Sequence, residues 1–154
     1  MDLFSATIPA LSLLIVANAT PVILARLCRH WGDYPLDLGW VAPDGERLLG
    51  DHKTWRGLLG GVVACGALAV VLGLSVPTAM MFATISLLAD AMWSAVKRRL
   101  HWRAGAERPV LDQLAESLLP MLLCADRLGL GAREIVVVCV TFTLLDIACA
   151  PARR

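Results

Sequence analysis

GLLGGVVACGALAVVLGLSVPTAMMFATISLLA, residues 57–89, is a run of 33 residues without a charge. A helix needs only about 20 such residues to cross the hydrocarbon core of a bilayer, so the run is too long for one crossing and long enough for two. Ser75-Val76-Pro77 supplies the break, because proline has no N–H to give to a helix interior. Two helices are therefore expected, at about 58–75 and 77–97, with Asp90 inside the second. Upstream, residues 3–25 form a second uncharged run of 23 residues. Ala17-Asn18-Ala19 has the small-residue pattern of a signal-peptide cleavage site. Only Asp2 precedes the run, however, and the run exceeds the apolar core of a signal peptide, so an uncleaved first helix is expected. Downstream, a short fourth helix containing Glu116 is expected at about 111–125, and a fifth containing Asp146 at about 134–150.

Charge placement orients these five helices. Arg26, Arg29, Arg47, Lys53 and Arg56 follow the first helix, Lys97, Arg98, Arg99, Arg103 and Arg108 follow the third, and Arg153 and Arg154 end the chain. The turn at 75–77 has no basic residue, and the loop after the fourth helix has Arg127 and Arg133. Five spans thus place twelve basic residues on one side and two on the other, which makes the richer side cytosolic, the N-terminus external and the C-terminus cytosolic. The expected fold is all-α: a polytopic membrane helical bundle forming one domain over 1–154, set in the cell's inner (plasma) membrane, with cytosolic loops at about 28–57 and 98–110.

Composition agrees. Hydrophobic residues make up 58% of the chain and mean hydropathy is +0.68, above the roughly half-apolar make-up of soluble domains. A net charge of +1 gives no electrostatic basis for a nucleic-acid partner. Five cysteines, an odd number without a C-x-x-C pair and mostly in apolar runs, read as buried thiols and not as a disulfide or zinc framework. His30, His52 and His101 form no ligand spacing; His52 alone lies in a glycine-rich stretch.

That stretch, PLDLGWVAPDGERLLGDHKTWRGLLGG at 35–61, is the longest polar segment with its neighbours from 28 onward. Lys53, Thr54 and Arg56 come just before the second helix, where backbone N–H groups and adjacent cations suit an anionic phosphate; the plainer reading is a solvated loop meeting anionic headgroups. It is not a P-loop: Gly45 and Gly50 have the spacing, but Asp51 and His52 intervene before Lys53-Thr54.

Asp90 needs a reason, because an acid within a membrane helix is costly unless paired. A contact with Ser94 or Lys97 on the same helix face would anchor it. Alternatively, Asp90 and Asp112 from neighbouring helix ends would hold Mg²⁺, with phosphates completing its shell. Glu116 lies one turn from Asp112 as a neighbour in a supporting role. Asn18 can bond backbone freed by Pro21 or a headgroup, and a packing role is open to both. Asp146 is expected to pair with Arg153 or Arg154.

The chain resembles the CDP-archaeol synthases, relatives of the CDP-diacylglycerol synthases. The resemblance rests on Asn18-Ala19-Thr20-Pro21-Val22, Pro35-Leu36-Asp37-Leu38-Gly39, and the D-G-x-R-x-x-G-x-x-K-T-x-R-G run from Asp44 to Gly57. It continues in Asp90-Ala91-Met92-Trp93-Ser94 through Lys97-Arg98-Arg99, and in Arg108-Pro109-Val110-Leu111-Asp112-Gln113-Leu114. It departs at Ala89, where the family usually has Gly, and at Ala115, where a further Asp is frequent. The resemblance implies five transmembrane helices and a Mg²⁺-dependent transfer in which a membrane lipid phosphate attacks the α-phosphate of CTP, giving a CDP-lipid and pyrophosphate. It implies Asp90, Asp112 and Lys97 as catalytic residues, Asp90 and Asp112 as the metal ligands, and Lys53, Thr54, Arg56, Lys97 and Arg98 as phosphate receivers. Asn18 and Pro21 would line the lipid side, and Asp37, Asp44, Gly45, Arg47, Gly57 and Ser94 would complete the substrate-binding surface. A phosphate is its own nucleophile, so such a site works by positioning and charge neutralisation. Two other readings compete: a small transporter with Asp90 and Asp146 as relay groups, and a non-catalytic lipid-binding subunit. A relay needs no thirty-residue polar loop, which favours the enzyme.

Overall fold

The computed structural model describes residues 3–29, 31–45, 47–50, 52–100 and 109–153, without the side chains of 3–5, 109–112 and 150–153. His30, Glu46, Asp51, His101, Arg103, Arg108 and Arg154, and the side chains of Asp112 and Arg153, lie outside the described residues. Among those described, the regular elements are helices: α1 (Leu3–Cys28), α2 (Trp55–Leu72), α3 (Val76–Arg99), α4 (Pro109–Leu123), the single turn α5 (Ala125–Leu128) and α6 (Ala132–Arg153). Chain order, with α1 against α2, α3 and α6, α3 against α4, and α4 against α6, closes a bundle.

Local chemistry sets the helix ends. Thr54 is extended, and its Oγ1 accepts from the Gly57 N–H at 3.2 Å, starting α2 three residues earlier than expected. Gly73, in the left-handed region at φ 67°, ends α2 by turning its N–H back to the carbonyls of Ala69 and Val70. The break between α2 and α3 is therefore made by glycine. Pro77 falls in the first turn of α3, where a missing N–H costs nothing. The fourth helix starts and ends two residues earlier than expected and is followed by a separate turn, α5, capped by Gly129 at φ 65°.

Pro9 and Pro21 both lie inside α1, which continues through them. Pro21 cannot donate to the Ala17 carbonyl four residues earlier. Gly61 of α2 lies against that carbonyl, so close that an added Cβ would stand 3.1 Å from its oxygen, and Gly57 lies as close to the Pro21 ring. Small residues let the two backbones approach where α1 has a bond missing, the usual way for membrane helices to pack.

The core holds Leu13, Leu14, Phe82, Met121 and Val138, with Cys65, Cys124 and Cys139 buried as small apolar groups. The outside is also apolar: Val70 and Val71 of α2 are 70% and 81% exposed, and Leu59, Val63, Val136 and Leu144 are exposed with them. Such a surface suits lipid. Among the described residues, three helices are long and apolar enough to cross a membrane, Ala6–Cys28, Trp55–Leu72 and Val76–Arg99. The 15 residues of α4 rise only about 22 Å, short of a ~30 Å core. In α6, Arg133 and Glu134 lie in the first turn and Asp146 lies further along the helix.

Candidate active site

The loop from α1 to α2 folds back on itself at two places. Near its base, Pro35 bridges Thr54, the Leu36 N–H donates to the Lys53 carbonyl at 2.7 Å, and the Trp55 N–H donates to the Tyr34 carbonyl at 3.0 Å. Further out, Val41 bridges Arg47 and the Leu48 N–H donates to the Trp40 carbonyl at 3.1 Å. The lobe between these crossings is organised around Asp37, whose side chain is wholly buried. One carboxylate oxygen accepts from the Arg47 guanidinium at 2.8 Å and the Gly39 N–H at 3.1 Å. The other accepts from the N–H groups of Leu49 and Gly50 at 3.0 and 3.4 Å. Burial alone would raise the Asp37 pKa; the Arg47 and backbone donors outweigh it and hold the carboxyl well below the usual carboxylate range.

The lobe is fastened to the end of α3. Arg99 pairs with Asp44 at 2.5 Å, and the Arg98 guanidinium lies close against Gly50, whose φ of 94° favours glycine. These contacts give Asp37, Asp44, Arg47 and Arg98 structural partners within the loop and the α3 end.

Past the second crossing the chain turns inward. Lys53 extends its ammonium to the Asp90 carboxylate of α3 and forms an ion pair there. The Asp90 carboxylate thus takes a distant partner in place of Lys97. Ser94 donates instead to the Asp90 backbone carbonyl, at 2.9 Å. Lys97, seven residues on, lies about 10 Å further along the helix axis, whereas the folded-back loop delivers Lys53 directly. Arg56 donates to the carbonyls of Arg29, at 3.1 Å, and Trp31, and lies 3.4 Å from the Asp33 carboxylate; it locks the loop base to the end of α1.

Between α1, the loop, the start of α2 and α3 lies a cavity of about 750 Å³. It brings together Asn18, Pro21, Lys53, Thr54, Arg56, Gly57 and Asp90, seven of the residues anticipated from sequence. Asp37, Asp44, Gly45, Arg47, Ser94, Lys97 and Arg98 are not in its wall. Asp112 belongs to α4, and its side chain is outside the described residues. Sequence reasoning counted Arg26 and Arg29 only as topology markers and gave Asp33 no role, yet all three line the cavity, as does His52. The wall carries four basic groups, Arg26, Arg29, Lys53 and Arg56, against two acids, Asp33 and Asp90, and the Thr54-capped start of α2 adds its dipole. That balance suits a polyanion.

A second, apolar groove of about 310 Å³ runs between α1 and α6 and shares Asn18 and Val22 with the polar cavity. Asp146 lies on this groove and accepts from the Gln113 amide of α4; the tail arginines with which a pairing was expected lie, in their side chains, outside the described residues. No helix periodicity links residues 33 apart in sequence. At the join of the two spaces, Asn18 donates to the Ser86 hydroxyl at 3.3 Å, and Ser86 donates to the Glu116 carbonyl at 2.8 Å, linking α1, α3 and α4 through buried polar groups.

A sequence profile of the CarS-like CDP-archaeol synthases matches residues 3–150. The chain belongs to the CDP-archaeol synthase family. It is 37% identical over 133 residues to the CDP-archaeol synthase of Thermofilum pendens, covering 83% of this chain and 65% of that protein. It is 42% identical over 106 residues to that of Aeropyrum pernix, covering 65% of this chain and 58% of that one. The chain thus spans about three fifths of the length of these CDP-archaeol synthases. A solved structure of an intramembrane enzyme for archaeal membrane lipid biosynthesis is 35% identical, with a TM-score of 0.75, covering 96% of this chain and 91% of that one. Together with the three apolar helices, this family membership makes the chain a multi-pass membrane protein.

Proposed function

We propose that the chain transfers a cytidylyl group from CTP to a lipid phosphate of the archaetidic or phosphatidic acid type, releasing pyrophosphate. The observation that carries this reading is the meeting of a cationic cavity with an apolar groove at Asn18 and Val22. A nucleotide triphosphate fits the first; a hydrocarbon chain fits the second, with its phosphate at the join. The names of the similar proteins point the same way, and none of those reported is a transporter.

In this reaction an oxygen of the lipid phosphate forms a bond to the α-phosphorus of CTP as the bond to the β-phosphate breaks, and pyrophosphate carries off the electron pair. Lys53, Arg56 and the start of α2 hold the triphosphate and neutralise charge on the leaving group. The apolar groove keeps the tail beside the nucleotide, which makes the attack effectively intramolecular. Asn18 positions the lipid phosphate at the join.

Mg²⁺ fits the site as a companion of the triphosphate. Among the described residues no three acids, histidines or cysteines converge as a metal cage. Asp90 presents a carboxylate to the cavity, and Mg²⁺ is ordinarily held by one or two carboxylates plus substrate phosphates. Asp90 and Asp112 would hold it, and it would supply charge neutralisation at the phosphates.

The reading includes five spans, with α4 and α6 as the remaining two, an external N-terminus, and a cytosolic loop in the inner (plasma) membrane. The basic residues of the loop and of the α3 end support this side. Trp31, Tyr34 and Trp40, exposed on the loop, suit a membrane–water interface. Purified protein given labelled CTP, Mg²⁺ and a panel of lipid phosphates should form a CDP-lipid and pyrophosphate in equal amounts; absence of product with every ether and ester lipid tested would overturn the assignment.

A further inference from the structure

We infer that Lys53 is an internal counter-ion that guards Asp90 and leaves it only for a triphosphate, so that nucleotide and divalent cation bind synergistically. The inference rests on the reading of Asp90 as a metal ligand given above.

Lys53 and Asp90 are 37 residues apart, and their pairing joins the loop to α3 across the cavity. The Lys53 backbone is fixed on both sides: its N–H donates to the Gly50 carbonyl at 3.2 Å and its carbonyl accepts from the Leu36 N–H at 2.7 Å. What can move is the side chain, a compact charge on a flexible four-carbon stem. The pair is not sealed, since the Lys53 and Asp90 side chains keep 25% and 28% of their surface exposed, so ions and water reach both. As a structural tie, a half-open pair of this kind contributes little. Arg56 differs. Its guanidinium is anchored by the carbonyls of Arg29 and Trp31 at the loop base and its side chain is 11% exposed, so it faces the cavity from a fixed position.

A carboxylate oxygen bonded to an ammonium must surrender it before it can serve a divalent cation. Lys53, moved off Asp90 with no anion to receive it, would be left unpaired beside Arg26 and Arg29. A triphosphate removes both obstacles, since its oxygens accept Lys53 while its charge tolerates the cation. Lys53 therefore penalises the metal without nucleotide, and Asp90 penalises the nucleotide without metal. Linkage requires the two effects to be reciprocal.

The test uses the purified full chain and binding measurements without turnover. Mn²⁺ is titrated in the absence of nucleotide and the free ion read by electron paramagnetic resonance. Lys53→Met and Lys53→Gln should each bind Mn²⁺ roughly tenfold more tightly than wild type, while Lys53→Arg should match wild type. In EDTA, calorimetric titration with CTP should show Asp90→Asn binding roughly tenfold more tightly than wild type. Variants with wild-type melting curves whose Mn²⁺ affinity is unchanged or weaker, or an Asp90→Asn protein with no gain for metal-free CTP, would overturn the counter-ion role. The parent reading fails separately: if Asp90→Asn retains wild-type Mn²⁺ binding with CTP present, Asp90 is not a metal ligand at all.

Discussion

Asp37 and Asp90 each face a basic side chain of the same loop, and their surroundings could hardly differ more. In the lobe, Asp37 is wholly buried and accepts from Arg47 and three backbone N–H groups. At the cavity, Asp90 is part-exposed and its carboxylate meets a single flexible ammonium. The lobe saturates its carboxylate and becomes rigid; the cavity leaves its carboxylate open to exchange. One continuous polar motif is thereby divided into a scaffold and a reactive surface, and the side chains that look most alike in sequence fall on opposite sides of that division.

Substitutions can break this contrast by degrees. The largest effect is expected at Asp90: Asp90→Asn should lower turnover by about a thousandfold, the scale of removing one preorganised electrostatic group, with no change in membrane insertion or melting. Initial rates with labelled CTP check it, and full activity would remove Asp90 from the chemistry. Asp37→Ala should act in the opposite manner. Loss of one partner from a buried pair should cost the lobe about 3 kcal/mol, so protease should cut between residues 38 and 50 while the helices stay inserted. Limited proteolysis followed by mass spectrometry reads this directly.

Asp37 also sets a pH limit. Its folded pKa is lowered from an ordinary value of about 4, so its stabilisation is complete above that value and drains away as pH falls below it. Protease protection of the lobe should be flat from neutrality down to about pH 4 and decline only under stronger acid.

Gly61→Val should cost about 1–3 kcal/mol by forcing α2 off the Ala17 carbonyl, seen as a lower melting temperature. The smallest effect belongs to the Asp44–Arg99 pair, whose side chains are about 30% exposed, and Asp44→Ala should cost under about 1 kcal/mol. A large loss there would mean that the lobe depends on α3 more than on Asp37.

Much of this was legible in the chain. The uncharged runs located α1, α2 and α3, and the glycine-rich loop drew attention to Lys53, Thr54 and Arg56, all in the cavity wall. Helix periodicity misled where contacts are long-range. It offered Ser94 and Lys97 to Asp90, and only the folding back of the loop reveals Lys53. The family resemblance places Asp37 on the substrate-binding surface, and its internal partners are a feature of the folded lobe. Nothing in the spacing of Asp37, Arg47 and Gly50 says that they enclose one another. Pro77 was an obvious breaker, yet Gly73 ends the helix, since a proline in a first turn fits a helix start as well as it marks a break. The Gln113–Asp146 contact joins helices whose register no local pattern encodes.

The saturation of Asp37 has a consequence for speed as well as strength. A lobe held from within keeps its shape between encounters, so an arriving substrate need not freeze a wandering segment before it can be gripped. Only the Lys53 side chain has to swing. Recognition at this mouth should therefore proceed on the rapid timescale of side-chain rotation, not on that of loop closure.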